Sequence, residues 1–131
     1  MHLNTITELL GIPNYKVAEM IKNTPDRIEL MLEQTQVTDP ICSGCGCIHN
    51  ISVHSTGTIV VEDLRISGKR IFLHVPKRKS ICIEDGKIRV EEIAWIRSRF
   101  TTRFAEQVYR LTSITTNKEA GWYLGLDDER V

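Results

Sequence analysis

The chain lacks a basic head followed by an apolar run, and none of its 131 residues belong to a long uninterrupted apolar window. A spanning helix needs about eighteen such residues or more. Export and membrane insertion are therefore not expected, and an unprocessed cytoplasmic protein is. Cysteine is scarce: there are four, and three of them crowd into residues 42 to 47. Two disulfides would suit an exported chain, whereas a tight cluster without an export signal points to metal-bound thiolates. Aromatic residues make up 6%, too few and too scattered for a base-stacking RNA platform. Trp95 and Trp122 lie among apolar residues and are expected in a core. The formal net charge is zero, so there is no global pull toward nucleic acid or a membrane surface. There is no internal repeat or low-complexity tract. Hydrophobic residues, at 41%, are enough for a modest core.

The charge that is there is unevenly placed. Residues 63 to 80 hold Arg65, Lys69, Arg70, Lys77, Arg78 and Lys79 against Asp63 alone, whereas residues 1 to 40 hold six acids and three bases. This basic island is a candidate for DNA phosphate contacts, each adding salt-dependent and sequence-independent affinity. Charged side chains also protect strand edges, so a solvated strand surface is the competing reading.

Local patterns divide the chain near residue 90. Residues 3 to 10 have helical spacing in Leu3, Ile6, Leu9 and Leu10, with Gly11 to stop the helix. Thr24-Pro25-Asp26 suits a hairpin turn, and Ile28, Leu30 and Leu32 alternate with Glu29, Met31 and Glu33 as in a half-buried strand. Four β-branched runs follow, at residues 51 to 55, 58 to 64, 70 to 75 and 80 to 83. They are separated by Gly57, Ser67-Gly68 and Pro76, and read as short antiparallel strands. Beyond Val90 the texture turns helix-compatible, at residues 91 to 96, 101 to 111 and 115 to 124. The expectation is an α+β chain: a zinc-ribbon-like antiparallel β module with an N-terminal helix and hairpin over residues 1–90, then a small helical segment over residues 91–131.

Cys42-Ser43-Gly44-Cys45-Gly46 has the form in which a glycine-tightened turn aims two thiolates at one ion. Cys82-Ile83-Glu84-Asp85-Gly86 repeats that spacing with an aspartate last. Zinc held by Cys42, Cys45 and Cys82 needs a fourth ligand, for which Asp85 leads and Cys47 and His49 compete. His54 and His74 sit at strand positions where a hydrogen-bonded or exposed histidine is the better reading. A shell rich in cysteine is usually closed, which favours a structural ion over a catalytic one.

Residues 114 to 131 follow helix-turn-helix grammar. Thr116 and Glu119 have capping-box spacing, Gly125 permits a turn, and Asp127 is a natural cap between Leu126 and Val131. Phe104, Val108 and Leu111 form one stripe of a supporting helix. The second helix of such a pair enters the major groove. Here the pattern reaches only its first turn, so poor base reading by this chain alone is expected.

Taken together, Cys42-x-x-Cys45-Gly46, Val53-His54-Ser55, Glu62-Asp63-Leu64, Gly68-Lys69-Arg70, Lys77-Arg78-Lys79 and Cys82, followed by Trp95, Phe104 and residues 115 to 126, resemble the N-terminal part of insertion-sequence transposases of the ISL-three type. The resemblance covers most of the chain. It implies a zinc-binding ribbon, then a helix-turn-helix, then a large catalytic domain that cuts and joins DNA. It also implies that the first two parts bind the inverted-repeat ends of a mobile element. Cys42, Cys45 and Cys82 match the family's metal-binding cysteines, and Asp85 falls where many members have a fourth. The acids of this chain are scattered or serve as caps, so no enzymatic activity and no small-molecule substrate are expected of it. DNA is the expected partner, and a homodimer is compatible with it. The alternative is a zinc-stabilised protein-interaction or dimerisation module with no nucleic-acid partner.

Overall fold

Alternation of apolar and polar side chains builds the first hairpin. After helix α1 (Leu3–Leu10), β1 (Tyr15–Asn23) turns at Thr24-Pro25-Asp26 into β2 (Arg27–Gln34). The turn closes through Thr24 N–H to the Arg27 carbonyl at 2.8 Å and the Thr24 hydroxyl to Asp26 Oδ1 at 2.7 Å. Thr7 stitches α1 to the sheet, its Oγ1 accepting the Val17 N–H at 2.9 Å. The computed structural model describes residues 3–46, 48 and 55–114.

Two long strands carry the middle of the molecule, β3 (Ser55–Ile66) and β4 (Lys69–Ile81), followed by the short β5 (Ile88–Val90), β6 (Ile96–Arg97) and β7 (Phe100–Thr101), and then α2 (Thr102–Ile114). The seven strands among the described residues form one sheet in the order β1-β2-β4-β3-β7-β6, with β5 paired to β4. The sheet is mixed. Consecutive hairpins are antiparallel, but β2 lies parallel to β4 and β3 parallel to β7. A parallel pairing needs a crossover of a dozen or more residues, and the chain between β2 and β4 supplies it.

One face is the core. Leu30 and Leu32 of β2, Ile71, Leu73 and Val75 of β4, and Val61 of β3 meet Ile6 and Leu10 of α1 together with Tyr15, Val17 and Ile93. Phe104 and Val108 of α2 form a second cluster with Leu64, Phe100 and Leu111 against them, which is the expected stripe. Ile93, Trp95 and Ile96 pack on the first core, and β7 pairs with β3. The described part of the second segment therefore shares the sheet of the first. Among the described residues no helix is long and apolar enough to cross a membrane.

Two local expectations change. Pro76 does not separate strands but sits inside β4 opposite Thr58. On the other edge of β4, β2 ends at His74 and β5 begins at Lys79, so Pro76 falls in a gap where no N–H is required. Residues 91 to 96 are not helical. Glu91 is buried against Arg78, the Glu92 N–H bonds the Ile41 carbonyl at 2.7 Å, and Ile93 turns into the core. Tertiary partners override the helix propensity of Glu and Ala there.

Candidate metal centre and nucleic-acid interface

β4 delivers Cys82 to the end of the sheet, and the first knuckle is docked beside it by strand-like bonds. Ser43 N–H reaches the Val90 carbonyl at 3.2 Å, and Cys42 bridges Glu91. The two knuckles have the same backbone. Gly46 N–H bonds the Cys42 carbonyl and Gly86 N–H the Cys82 carbonyl, both at 2.8 Å. Gly46 and Gly86 take φ of 73° and 68°, the left-handed conformation that costs glycine least. The spacing read in the sequence is thus a repeated structure.

The sulfurs of Cys42, Cys45 and Cys82 lie within 4.8 Å of one another, and none is in a disulfide. Tetrahedral zinc with Zn–S of about 2.3 Å places sulfurs about 3.8 Å apart, so a small adjustment seats an ion. Cys42 and Cys82 are buried. Gly44 N–H points at Cys42 Sγ at 3.4 Å. The Cys42 thiol is pulled from 9.0 to about 7, chiefly by the Cys45 N–H, with the Gly44 N–H and the neighbouring thiols helping against the upward push of burial. The donor set favours a thiolate-binding metal.

Asp85 lies at the edge of this cluster. Its Oδ1 accepts the Lys87 N–H at 2.9 Å, and its Oδ2 accepts from Arg89 Nε at 3.1 Å and Nη2 at 2.6 Å. Those bonds, with a smaller contribution from the Cys82 thiol beside it, hold its carboxyl down at about 2. Arg89 was not singled out in the sequence. It lies so close over the first knuckle that a Cβ on Gly44 would meet its Nε at 3.0 Å. Cys47, His49 and His54 lie outside the described residues, as do residues 115 to 131 with the expected helix-turn-helix. His74 is placed away from the metal, its Nε2 2.9 Å from Glu29 Oε1.

The basic island is not one patch. Lys69 and Arg70 stand at the turn end of β4, while Lys77, Arg78 and Lys79 stand near the metal end, eight or so residues and roughly 26 Å farther along the strand. Arg70 is bound to Glu62 by two hydrogen bonds of 2.9 Å. Arg78 is held by Glu91 and by the Thr38 carbonyl. Lys69 Nζ donates to Asn23 Oδ1 at 3.2 Å. Arg65, half-buried on β3, has Nε and Nη2 without a hydrogen-bond partner among the described residues. Sequence reasoning also missed Asp63, which is buried and binds the Thr101 hydroxyl at 2.7 Å and Arg103 Nε at 2.8 Å. Arg103 lay outside the island, and its partner stands forty residues earlier.

Two glycine knuckles from separate segments, closing on one thiolate-bound ion, define a zinc ribbon. Residues 38–85 match the family described as zinc-finger of transposase IS204/IS1001/IS1096/IS1165. The chain is also similar to the transposase for insertion sequence element IS1001 of Bordetella parapertussis. The two are 33% identical over 91 residues, covering 63% of this chain and 22% of that protein. The chain thus matches about a fifth of that relative's length. No solved structure matches. The two matches support the resemblance to the N-terminal part of ISL-three-type transposases, and with the three sulfurs they make zinc the ion of this site.

Proposed function

We propose that this chain is the DNA-binding portion of a transposase, recognising the inverted-repeat ends of a mobile element, with zinc as a structural ion. The match of residues 38–85 to a transposase zinc finger carries this reading. Residues 1–90 form the zinc-ribbon unit, and residues 91–131 begin a helix-turn-helix for which α2 is the support. Of the six basic residues, Arg65, Lys69, Lys77 and Lys79 reach phosphates. Arg70 and Arg78, locked in ion pairs, hold the strands that carry them. The buried acids Glu62, Asp63 and Glu91 are each committed to an arginine, so we assign the chain no strand transfer of its own. Its place is the cytoplasm, with DNA as partner.

Binding to duplex DNA carrying the element ends should weaken steeply with salt. Three or four phosphate contacts give a slope of roughly −3 to −4 in log affinity against log salt. A filter-binding or anisotropy titration from low to physiological salt measures it, and absence of binding at low salt refutes the reading.

We also propose Asp85 as the fourth zinc ligand. It stands where the second knuckle repeats Cys45, and it is already ionised, as a ligand must be. Taking up the ion exchanges one Arg89 bond for a metal bond. Asp85→Asn is expected to lower zinc affinity by tenfold or more, whereas Cys47→Ser and His49→Gln leave it within about twofold. Chelator competition decides among them, and zinc loss in Cys47→Ser or His49→Gln instead would transfer the role.

One observation favours self-association as a second reading. Ile41, Ile48, Ile81, Ile83 and Ile88, all in or beside the knuckles, are exposed. A clustered apolar surface of this kind commonly marks an interface. Under this reading the chain sediments as a dimer and has no affinity for DNA.

A further inference from the structure

The face of the sheet opposite the core carries arginines from three strands at one level. Arg27 of β2 is in register with Arg70 of β4. Across β4, Arg70 faces the irregularity in β3 between Asp63 and Ile66, which holds Arg65. Strand alternation sends Ile28, Leu30, Ile71 and Leu73 to the core, and so sends Arg27, Glu29, Arg70 and Phe72 to this outer face. There the Arg27 guanidinium lies 4.0 Å from the Phe72 ring centre and that of Arg70 5.1 Å.

The carboxylates on this face are already engaged. Glu62 accepts both bonds from Arg70. Glu29 is shared between His74 Nε2 at 2.9 Å and Arg27 Nε, which stays 3.4 Å away. Three guanidiniums thus share the two carboxylates of this face, and some of their donors go unmet. Nε and Nη2 of Arg65 and Nε of Arg27 are buried, with no hydrogen-bond partner among the described residues. Burial and the neighbouring Arg70 push the Arg65 guanidinium below its ordinary pKa, with Glu62 opposing them. Native proteins seldom leave buried donors unmet, because each forfeits hydration with nothing in return. A guanidinium fork is suited to two oxygens of one phosphate, and because these donors are covered in the free chain, a phosphate reaches them only as the half-buried Arg65 side chain swings outward.

We infer that Arg65, with Arg27 beside it, forms a docking site for one backbone phosphate of DNA on the outer face of β2, β4 and β3, built over Phe72 and fixed by the Arg70–Glu62 pair. The inference rests on the DNA-binding reading above and adds Arg27, a residue of the acidic N-terminal part, to the interface.

Arg65→Met in the full chain tests it, because a donor waiting for a ligand and a donor that supports the fold move stability in opposite directions. Free of DNA, Arg65→Met is expected to melt at a higher temperature than the parent, since it removes unmet buried donors. With duplex DNA it is expected to bind several-fold to tenfold more weakly at low salt, and to lose about 0.9 from the slope of log affinity against log salt. Arg65→Lys, which keeps the charge but not the fork, should keep the slope and still bind several-fold more weakly. A parent chain that binds no DNA overturns the functional reading itself. A parent that binds, with Arg65→Met showing the same slope or a lower melting temperature, or Arg65→Lys binding as tightly as the parent, overturns this site alone.

Discussion

Replacing Cys82 by serine, or stripping the metal with a chelator, is expected to take zinc from one ion per chain to near none and to melt the knuckle end of the sheet while the rest persists. The two knuckles contribute nothing to the apolar core formed by Leu30, Leu73, Val61 and their neighbours, and their own isoleucines are exposed. What joins them is a few backbone bonds, such as Ser43 N–H to the Val90 carbonyl and Glu92 N–H to that of Ile41, and the shared ion. Structural zinc contributes on the order of 10–16 kcal/mol where a finger has no other core. Here that contribution is concentrated at one end of the molecule. Amide exchange is the measurement. Gly46, Gly86 and Cys82 should lose protection while Leu30 and Leu73 keep it, and unchanged exchange after complete stripping would remove the structural ion from the account. Acid should act in the same direction. The Cys42 thiol is held at about 7, below its ordinary 9.0. Its thiolate therefore favours the folded site above the ordinary value, and that advantage fades as pH falls through about 7. Zinc is lost on acidification and retained on the alkaline side.

What could be read in the residues alone was whatever the local chain encodes about itself. The hairpin at Thr24-Pro25-Asp26, the helix ending at Leu10, the first knuckle and the Phe104–Val108 stripe each depend on spacing within a few residues, and each is present. Cys82 could be joined to Cys42 and Cys45 because Cys82-x-x-Asp85-Gly86 repeats the spacing of the first knuckle. What could not be read depends on distant partners. Nothing near Arg27 says that it lies beside Arg70, since parallel pairing of β2 with β4 is decided by the core that both strands cover. Nor does a run of basic residues say which are spent. Arg78 and Arg70 count equally with Lys79 in the sequence, yet each is bound to a buried glutamate. Glu91 looked like the start of a helix and is instead the anchor of Arg78, so the same residue changed both the secondary structure and the charge map.

Arg103→Met is expected to destabilise the fold more than Asp63→Asn, although both break the same ion pair. The asymmetry follows from burial. Asp63 is 1% exposed and its partner Arg103 is 40% exposed. Once Asp63 is neutralised, the guanidinium of Arg103 can turn to water, and the loss is that of charge-assisted hydrogen bonds, about 1.5–3 kcal/mol. Once Arg103 is gone, the Asp63 carboxylate stays buried with the Thr101 hydroxyl still donating to it at 2.7 Å, and breaking a buried pair in this direction costs roughly 3–5 kcal/mol. Arg103→Met also removes the bond from Nη1 to the Leu10 carbonyl at 2.6 Å, which places a cation at the C-terminal end of α1. One side chain of α2 thus ties β3 to α1, so its loss should loosen the seat of α2 along with the sheet. Urea unfolding of both single variants and the double variant measures the difference. The double variant should be more stable than Arg103→Met alone, because it no longer buries an unpaired charge. If Asp63→Asn proved the more costly, or the double variant the least stable of the three, Asp63 would owe its burial to something other than Arg103, and the attachment of α2 would have to be sought in the Phe104 and Val108 packing instead.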